Sequence, residues 1–325
     1  MLAATALFLM LPIVATSQSD EKLKTVSGGL QITTSIRALG MGGTGSAHAG
    51  DPTNVSLNPA AIVGLDHISA SVAQLEGLDR SEVTNLQFSG AFSIANLRTA
   101  LALGYTSRNI NNVSTIVGDT TFTSDRENDQ FYGSLAAAFR IWVFNVSAGG
   151  TLKQLRIRDD ELRIKEDVDV FDVGAIAWIP IRLGKFNTIT ASAGVSRLNN
   201  GENDLFEVPT SNRYGIRIRY ETWSYNPLPD IIGPDTPFFT LSVNSDTIEP
   251  EFQDQPWEHG LGIELSFASV VHLRLGFRDD NRRDEQVQTV GLGLGVRTES
   301  IAIRFDGAWA EETKGAAGFI VGFIF

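Results

Sequence analysis

The sequence has no cysteine and only four histidines among its 325 residues. Without cysteine, neither a disulfide framework nor thiol chemistry is available. None of the histidines has the spacing of a metal-binding pair, and no Gly-x-Ser-x-Gly nucleophile elbow is present. We therefore expect a protein that is not an enzyme: the sequence predicts no catalytic residue, no metal site and no cofactor.

Positive charge and long apolar runs are also scarce. The formal net charge is −12 and the pI is about 4.8, which argues against a nucleic-acid partner because phosphates require a clustered basic surface. Apart from the N-terminus, no apolar run is long enough for a transmembrane helix, and the mean hydropathy is −0.01. This balance fits a membrane β-barrel, in which half of each strand faces a polar interior.

The one long apolar run lies at the N-terminus. Residues 1–17 have the apolar core of a signal peptide, and Ala15-Thr16-Ser17 supplies the small residues that signal peptidase requires. The basic residues that usually precede such a core are missing. We predict a cleaved signal peptide over residues 1–17, and hence export.

From residue 66 onward, apolar and polar residues alternate in segments of about ten, the period of a strand with one apolar and one polar face. Fourteen such segments can be identified, and long polar connections alternate with short turns; Ser107–Asn128 is one of the long connections. This pattern predicts an all-β fold, a transmembrane antiparallel β-barrel of about 14 strands over residues 66–325. An even number of strands places both ends of the barrel on the periplasmic side.

Three features separate this prediction from a soluble β-sandwich, which shows the same alternation. The tryptophans fall at predicted strand ends, where aromatic residues mark the membrane interfaces: Trp142, Trp178, Trp223, Trp257 and Trp309. The last strand ends in alternating hydrophobic residues that resemble the signal read by the barrel-assembly machinery: Phe319, Val321, Phe323 and Phe325. The polar strand faces carry charges that a dry core would not tolerate unpaired, and we predict that they face the lumen: Arg217, Arg219, Glu264, Arg274, Arg304 and Asp306.

Two interpretations of these lumen charges are open. Arginine forks match the carboxylate or phosphate of an anionic ligand. Alternatively, the arginines pair with acidic residues on facing strands and with a plug inside the barrel. We prefer the second interpretation.

The segment Arg37–Leu65 follows neither the strand period nor the helix period. It combines glycines with polar and turn-forming residues that we group as a hatch motif: Arg37, Gly40, Gly42, Gly43, Gly45, Asp51, Asn58, Pro59 and Ala60. Glycines permit close backbone contact, and Asn58 suits the N-cap of a helical turn that starts at Pro59 and ends at Gly64. We predict that residues 18–65 form a plug, or hatch, in a barrel too wide to be filled by its own side chains.

Two alternatives for this segment carry less weight. Gly40-x-Gly42-x-x-Gly45 matches the dinucleotide-binding fingerprint, but no helix pattern follows it. An ordinary glycine-rich surface loop is the second alternative, although long loops without structure are uncommon in compact domains.

The stretch Arg37–Leu65, with its Asn58-Pro59-Ala60 motif and the barrel-like remainder, resembles the N-terminal segment of the PorV/PorQ family of outer-membrane β-barrel proteins. It is more distantly similar to the hatch of the FadL-type long-chain fatty acid transporters. The resemblance implies a non-enzymatic barrel in the outer membrane of a Gram-negative bacterium. It also implies a component of type IX protein secretion that binds cargo or a complex; the alternative is a FadL-like channel for fatty acids or other hydrophobic small molecules.

The expected partners follow from these interpretations. A barrel of this kind contacts outer-membrane lipid and lipopolysaccharide and is inserted by the barrel-assembly machinery. A secretion role adds type IX components or the C-terminal domains of cargo proteins, and the channel alternative adds hydrophobic small molecules.

Overall fold

The computed structural model describes residues 33–324 except for 66–67, 78–80, 95–96, 118–119, 160–163, 204–207, 224–235, 252–255, 281–284, 299 and 312. The predicted signal peptide, residues 18–32 of the predicted hatch and Phe325 lie outside the described residues.

Fourteen antiparallel strands form one closed barrel. In chain order they are β1 (Ile68–Gly77), β2 (Ser81–Ile94), β3 (Leu97–Val117), β4 (Thr120–Ile141), β5 (Phe144–Asp159), β6 (Ile164–Arg182), β7 (Asn187–Asn200), β8 (Ser211–Thr222), β9 (Phe239–Pro250), β10 (Glu258–Phe267), β11 (Val271–Asp280), β12 (Glu285–Arg297), β13 (Ile301–Ala310) and β14 (Thr313–Phe323). Each strand pairs with its sequence neighbours, and β1 pairs with β14 to close the sheet. The prediction of an all-β, fourteen-stranded antiparallel barrel is confirmed.

The barrel has its large hydrophobic side chains on the outside. On β2, Leu86 and Phe88 are 46% and 67% exposed, whereas Asn85 and Gln87 are buried on the inner face. Exposed apolar surface of this extent on every side of the molecule is unfavourable in water but matches a lipid environment. Closure of the sheet also satisfies every strand edge, which a lipid bilayer requires. The strands therefore span a membrane.

The described residues contain no helix that is both long enough and apolar enough to cross a membrane. Because β1 begins and β14 ends at the same rim, and the strand number is even, this rim is the periplasmic one.

The connection between β3 and β4 differs from the sequence prediction. We expected a long polar loop over Ser107–Asn128, but β3 and β4 are 21 and 22 residues long and remain paired up to Val117 and Thr120. A strand needs an apolar face only within the membrane, so the alternation in the sequence can end before the strand does. Backbone hydrogen bonding between β3 and β4 continues beyond the apolar alternation. The hydrophobic period therefore marks the membrane-embedded part of a strand and not its full length.

Four of the five predicted interface tryptophans are exposed at strand ends or on the outer face: Trp142, Trp223, Trp257 and Trp309. The prediction for Trp178 is wrong. Trp178 shares the inner face of β6 with Ile176 and packs, half-buried, against Ala60 and Ala61. A position near a strand end does not determine which face the side chain occupies. On β14, Phe319 and Phe323 are exposed on the outer face.

The outward face of β3 offers a test of membrane embedding. Leu103 is 66% exposed near the middle of the membrane-facing part of β3, so Leu103→Arg is expected to destabilise the folded barrel by about 2–4 kcal/mol. Urea unfolding from lipid vesicles measures this change. The control is Ile141→Arg at the periplasmic end of β4, where the expected cost is at most about 1 kcal/mol. Equal effects of the two substitutions would contradict the assigned orientation.

Candidate functional site

Residues 33–65, which we call the inner segment, lie against the inner wall of the barrel. They contain helix α1 (Ile36–Leu39) and two 3₁₀ helices, Pro52–Ser56 and Pro59–Gly64. Helix α1 contacts β12, β13 and β14, and the second 3₁₀ helix contacts β2 to β6. The segment therefore reaches across the lumen, and most of its residues are buried. This burial is incompatible with the alternative of a surface loop.

Side-chain caps shape the inner segment. The side chain of Ser35 accepts a hydrogen bond from the backbone nitrogen of Ala38 at the start of α1. Asp51 and Asn58 cap the two 3₁₀ helices in the same way, each followed by a proline at the first helical position. The turn predicted from Asn58 through Pro59 to Gly64 is present, because an N-cap carboxylate or amide satisfies a backbone donor that the helix leaves free.

Glycines bring the inner segment into backbone contact with the wall. Gly42 has φ +68°, and a Cβ added at Gly276 on β11 would lie 2.1 Å from the nitrogen of Gly42. Other wall glycines whose Cβ would overlap the inner segment are Gly149, Gly174, Gly194, Gly215 and Gly262. The sequence identified the glycines of the hatch motif but not these wall glycines, which give the segment its space. In the sequence, such a wall glycine can be recognised by its position on the polar face of a strand.

Six charged side chains form a closed ring of alternating charge, which we call the charge ring: Arg37, Glu264, Arg274, Asp306, Arg304 and Asp51. Nε of Arg37 donates to Glu264 at 2.8 Å, and its Nη2 binds the other oxygen of the same carboxylate. Nε of Arg274 donates to Glu264 at 2.7 Å and its Nη1 donates to Asp306 at 2.7 Å. Arg304 then connects Asp306, at 2.6 Å, to Asp51, at 2.9 Å, and a contact of 3.2 Å between Asp51 and Arg37 closes the ring.

The charge ring joins the inner segment to one side of the barrel. Arg37 and Asp51 belong to the inner segment, and the other four residues belong to β10, β11 and β13. Five of the six side chains are at least nine-tenths buried, and Arg304 is 23% exposed. Removing one partner from such a buried set leaves an uncompensated charge, which typically costs about 3–5 kcal/mol. Each charged side chain is therefore stabilised by its two neighbours in the ring.

The remaining predicted lumen charges lie beside the ring. Arg217 is buried and its Nε donates to the hydroxyl of Ser242 at 2.8 Å. Arg219 pairs with Glu221 on its own strand at 2.6 Å. Of Arg217, Arg219 and Arg304, only Arg304 binds an acid of the inner segment, Asp51, in the described structure. His48, which the sequence did not single out, accepts a hydrogen bond from Nη1 of Arg37 at 2.8 Å.

A second set of polar contacts clasps the middle of the inner segment. Asp246 on β9 accepts hydrogen bonds from the nitrogens of Gly45, at 3.1 Å, and Ser46, at 3.0 Å. Arg213 on β8 lies 3.6 Å from the same carboxylate and donates to the carbonyl of Gly43 at 3.0 Å. Neither Asp246 nor Arg213 is among the predicted lumen charges, although Arg213 lies on the same face of β8 as Arg217 and Arg219.

Asn58 fixes the inner segment to the opposite wall without charge. Its Oδ1 accepts from the nitrogen of Ala60, and its Nδ2 lies 2.9 Å from the carbonyl of Ser46 and 3.2 Å and 3.3 Å from those of Ala175 and Val195. Ala60 and Pro59 pack beside Gly149 on β5. The Asn58-Pro59-Ala60 motif thus serves both as a helix cap and as a contact with β6 and β7.

Two apolar clusters lie in the extracellular half of the inner wall, among buried polar residues such as Asn128, Lys153 and Arg213. One cluster joins Ile36 and Leu39 of α1 to wall residues of β1, β2, β12 and β13: Ala73, Leu75, Val83, Val287, Ala308 and Ala310. A second cluster consists of Leu155, Ile157, Val168 and Val170 of β5 and β6. These residues lie in the halves of their strands that are distant from the periplasmic rim. Barrel interiors are ordinarily polar, so apolar clusters here require a specific explanation.

A cavity of about 310 Å³ lies at the periplasmic end, beside the charge ring. Its wall residues come from β8 to β14 and its other side is formed by the inner segment. Arginine is its most frequent lining residue. Among the described residues, no group of three or more acidic, histidine or cysteine side chains is placed to hold a metal ion.

Comparisons with solved structures agree with this architecture. The toluene transporter TbuX of Ralstonia pickettii matches 88% of this chain and 96% of its own, with a TM-score of 0.53 at 10% sequence identity. The chain is an outer-membrane β-barrel. The Pseudomonas putida toluene transporter TodX covers 96% of its own chain and 89% of this one, with a TM-score of 0.46 at 8% identity. A FadL homologue of Pseudomonas aeruginosa covers 97% of its own chain and 90% of this one, with a TM-score of 0.42 at 11% identity.

At these identities the likeness shows the fold alone. No protein-family model and no curated protein sequence matches the chain. The likeness to TbuX supports a transmembrane barrel in the outer membrane.

The charge ring generates a prediction about Glu264. Glu264→Gln removes the carboxylate charge that two guanidinium groups share, so the inner segment is expected to lose about 3 kcal/mol of attachment to the wall. Arg37 is the only lysine or arginine in residues 33–65. Trypsin should therefore cut after Arg37 in the variant much faster than in the wild type, as measured by N-terminal sequencing of the barrel fragment.

The matched control for this experiment is Glu251→Gln. Glu251 pairs with Arg197 in an exposed site away from the inner segment, and such pairs contribute at most about 1 kcal/mol. If the Glu264 and Glu251 variants are cleaved after Arg37 at the same rate, the charge ring does not hold the inner segment.

The close backbone contact at Gly276 generates a second prediction. Gly276→Ala places a methyl group against Gly42, so the inner segment must shift, at an expected cost of about 1–3 kcal/mol. The midpoint of the heat-induced gel shift should fall. Gly315→Ala is the control, because a Cβ at Gly315 meets nothing within 4 Å. A variant at Gly276 as stable as the variant at Gly315 would contradict the close packing.

Proposed function

We propose that this protein is a FadL-like channel through which hydrophobic small molecules cross the outer membrane, with the inner segment as its plug. The two apolar clusters in the extracellular half of the inner wall carry this proposal. A porin-type pore for polar solutes needs a polar wall along its whole length, whereas a site for an apolar molecule needs apolar lining with few polar groups.

The two apolar clusters supply such a lining. Leu75, Val83 and Val287 form one patch with α1, and Leu155 and Ile157 form part of the other. Because Ile36 and Leu39 of α1 belong to the first cluster, the plug itself contributes to the apolar surface. A molecule that binds between wall and plug would compete with these contacts, which gives a physical route from ligand binding to movement of the inner segment.

The plug supports the same proposal. A fourteen-stranded barrel is wider than eight-stranded barrels, which side chains alone can fill, and close to the width of open porins. The inner segment reaches across this lumen and hydrogen-bonds to several strands around it. Transport therefore requires displacement of the segment, and the described structure corresponds to the closed state.

The structural neighbour TbuX adds support by analogy. It is a toluene transporter that shares the fold of this chain. We place the present protein in the same class of substrate, small hydrophobic molecules, and propose that it works without catalysis.

The role in type IX secretion stays a prediction that rests on the sequence resemblance to the PorV/PorQ family. No feature of the described structure favours it over the channel function. If the secretion role holds, the protein should copurify with secretion components or with cargo C-terminal domains.

The channel function predicts selective uptake. In vesicles containing the purified protein, labelled toluene and a labelled fatty acid should enter faster than labelled glucose. Val83→Asn and Leu155→Asn, which place an amide in each apolar cluster, should each lower toluene entry by about tenfold. Ser89→Asn on the polar part of the wall is the control and should leave entry unchanged.

Deletion of Ser35–Gly64 tests the plug in the same vesicles. Without the plug, glucose should enter as fast as toluene, and planar-bilayer recordings should show a steady open conductance. If the full-length and deleted proteins are equally closed, the inner segment is not the plug. If the full-length protein admits no hydrophobic probe and the Asn variants change nothing, the channel proposal fails.

A further inference from the structure

The periplasmic cavity has a lining that the channel function does not use. Its charged lining residues are Arg37, Arg219, Glu264, Arg274, Arg297 and Arg304. His48 and His272 also line it. One carboxylate therefore shares the cavity surface with five guanidinium groups.

Apart from Glu264, the acids that pair with Arg37, Arg219 and Arg304 do not line the cavity. Asp51 and Asp306 bind Arg304, but neither lines the cavity. Arg217, two residues from Arg219 on the same face of β8, is buried and pairs with no carboxylate among the described residues. The charged side chains that a ligand would meet are therefore mostly positive.

Two guanidinium donors of cavity-lining arginines have no partner among the described residues. Arg274 has a completely buried side chain, and its Nη2 has no hydrogen-bond partner in the described part of the chain. The same is true of Nε of Arg219. Buried donors without partners are costly, so these two point to a missing acceptor.

We propose that this cavity binds a phosphate-type oxyanion from the periplasmic side. A tetrahedral oxyanion offers acceptors in several directions and thus suits arginines that converge from different strands, whereas a single planar carboxylate is already satisfied by one arginine fork. The volume of about 310 Å³ leaves room for the phosphate with its waters or for part of a larger phosphate-bearing molecule.

The oxyanion would bridge the inner segment and the barrel. Arg37 and His48 belong to the inner segment, whereas Arg219 and Arg304 belong to the wall. A bound phosphate adds charge-assisted hydrogen bonds between the two parts and stabilises the plugged state by mass action. This inference is independent of the molecule that the channel carries, since it concerns only how the plug is held.

The test uses inorganic phosphate and the full-length protein in detergent and phosphate-free buffer. Isothermal titration calorimetry should detect one phosphate per protein, and phosphate should slow trypsin cleavage after Arg37 at least fivefold. Arg219→Gln and Arg297→Gln, which leave the charge ring intact, should each weaken phosphate binding at least tenfold. Arg197→Gln, at an exposed ion pair outside the cavity, is the matched control and should bind like the wild type.

The source of the phosphate is resolved in a second arm. Native mass spectrometry of protein extracted with mild detergent should show whether a phospholipid is retained in the wild type and lost in Arg219→Gln. Retained lipid assigns the site to a headgroup of the inner leaflet, and binding of inorganic phosphate without lipid assigns it to a free anion. If neither binds, or if the Arg219 and Arg297 variants bind as tightly as the Arg197 control, the proposal is wrong. The uptake assay is unaffected by that outcome.

Discussion

The placement of the inner segment depends on six buried charges that alternate in one ring. Removing one partner from a buried ion pair typically costs about 3–5 kcal/mol, so each member of the ring is stabilised by its two neighbours. Since Arg37 and Asp51 come from the inner segment and the other four from three strands, folding of the segment and closure of this side of the barrel are energetically coupled. The ring also fixes the rotation of the segment within the lumen.

The two sides of the inner segment are held by different kinds of interaction. Towards β10 to β13 the contacts are charged and directional. Towards β5, β6 and β7 they are neutral, and consist of the amide of Asn58, the hydroxyl of Ser196 on the carbonyl of Leu57, and small side chains on backbone. Charged contacts respond to anions and ionic strength, whereas neutral ones respond little. Any event that releases the segment electrostatically therefore acts first on the β10 to β13 side, where the cavity lies.

Much of this architecture is readable from the sequence, because strand parity is robust. Alternation with a period of two assigned Glu264, Arg274, Arg304 and Asp306 to the inner face, and the structure places them there. The glycine-rich composition of residues 37–65, together with Asn58 before Pro59, indicated a compact capped segment. These signals are local, so they need no knowledge of which strands meet.

What the sequence did not provide depends on register and on three-dimensional proximity. The pairing of Arg37 with Glu264 joins residues 227 positions apart, and nothing local specifies it. Asp246 and His48 have no distinguishing local sequence pattern, and their roles follow only from the position of the inner segment inside the barrel. A position near a strand end predicted an interface role for Trp178. Its side chain lies two residues from Ile176 and therefore on the same inner face of β6. The secretion role came from resemblance alone, and a barrel fold does not by itself specify a role.

The wall glycines have a mechanical consequence. Where Gly276 faces Gly42, and Gly194 faces Ser46, backbone touches backbone with no side chain between them. Side chains that interlock must change rotamer before two surfaces move past each other, but a surface of bare backbone imposes no such barrier. At these positions the attachment of the segment therefore depends on its polar bonds and not on interlocked side chains. The close fit of the inner segment against the wall thus depends on glycines, whereas its attachment depends on polar and charged residues.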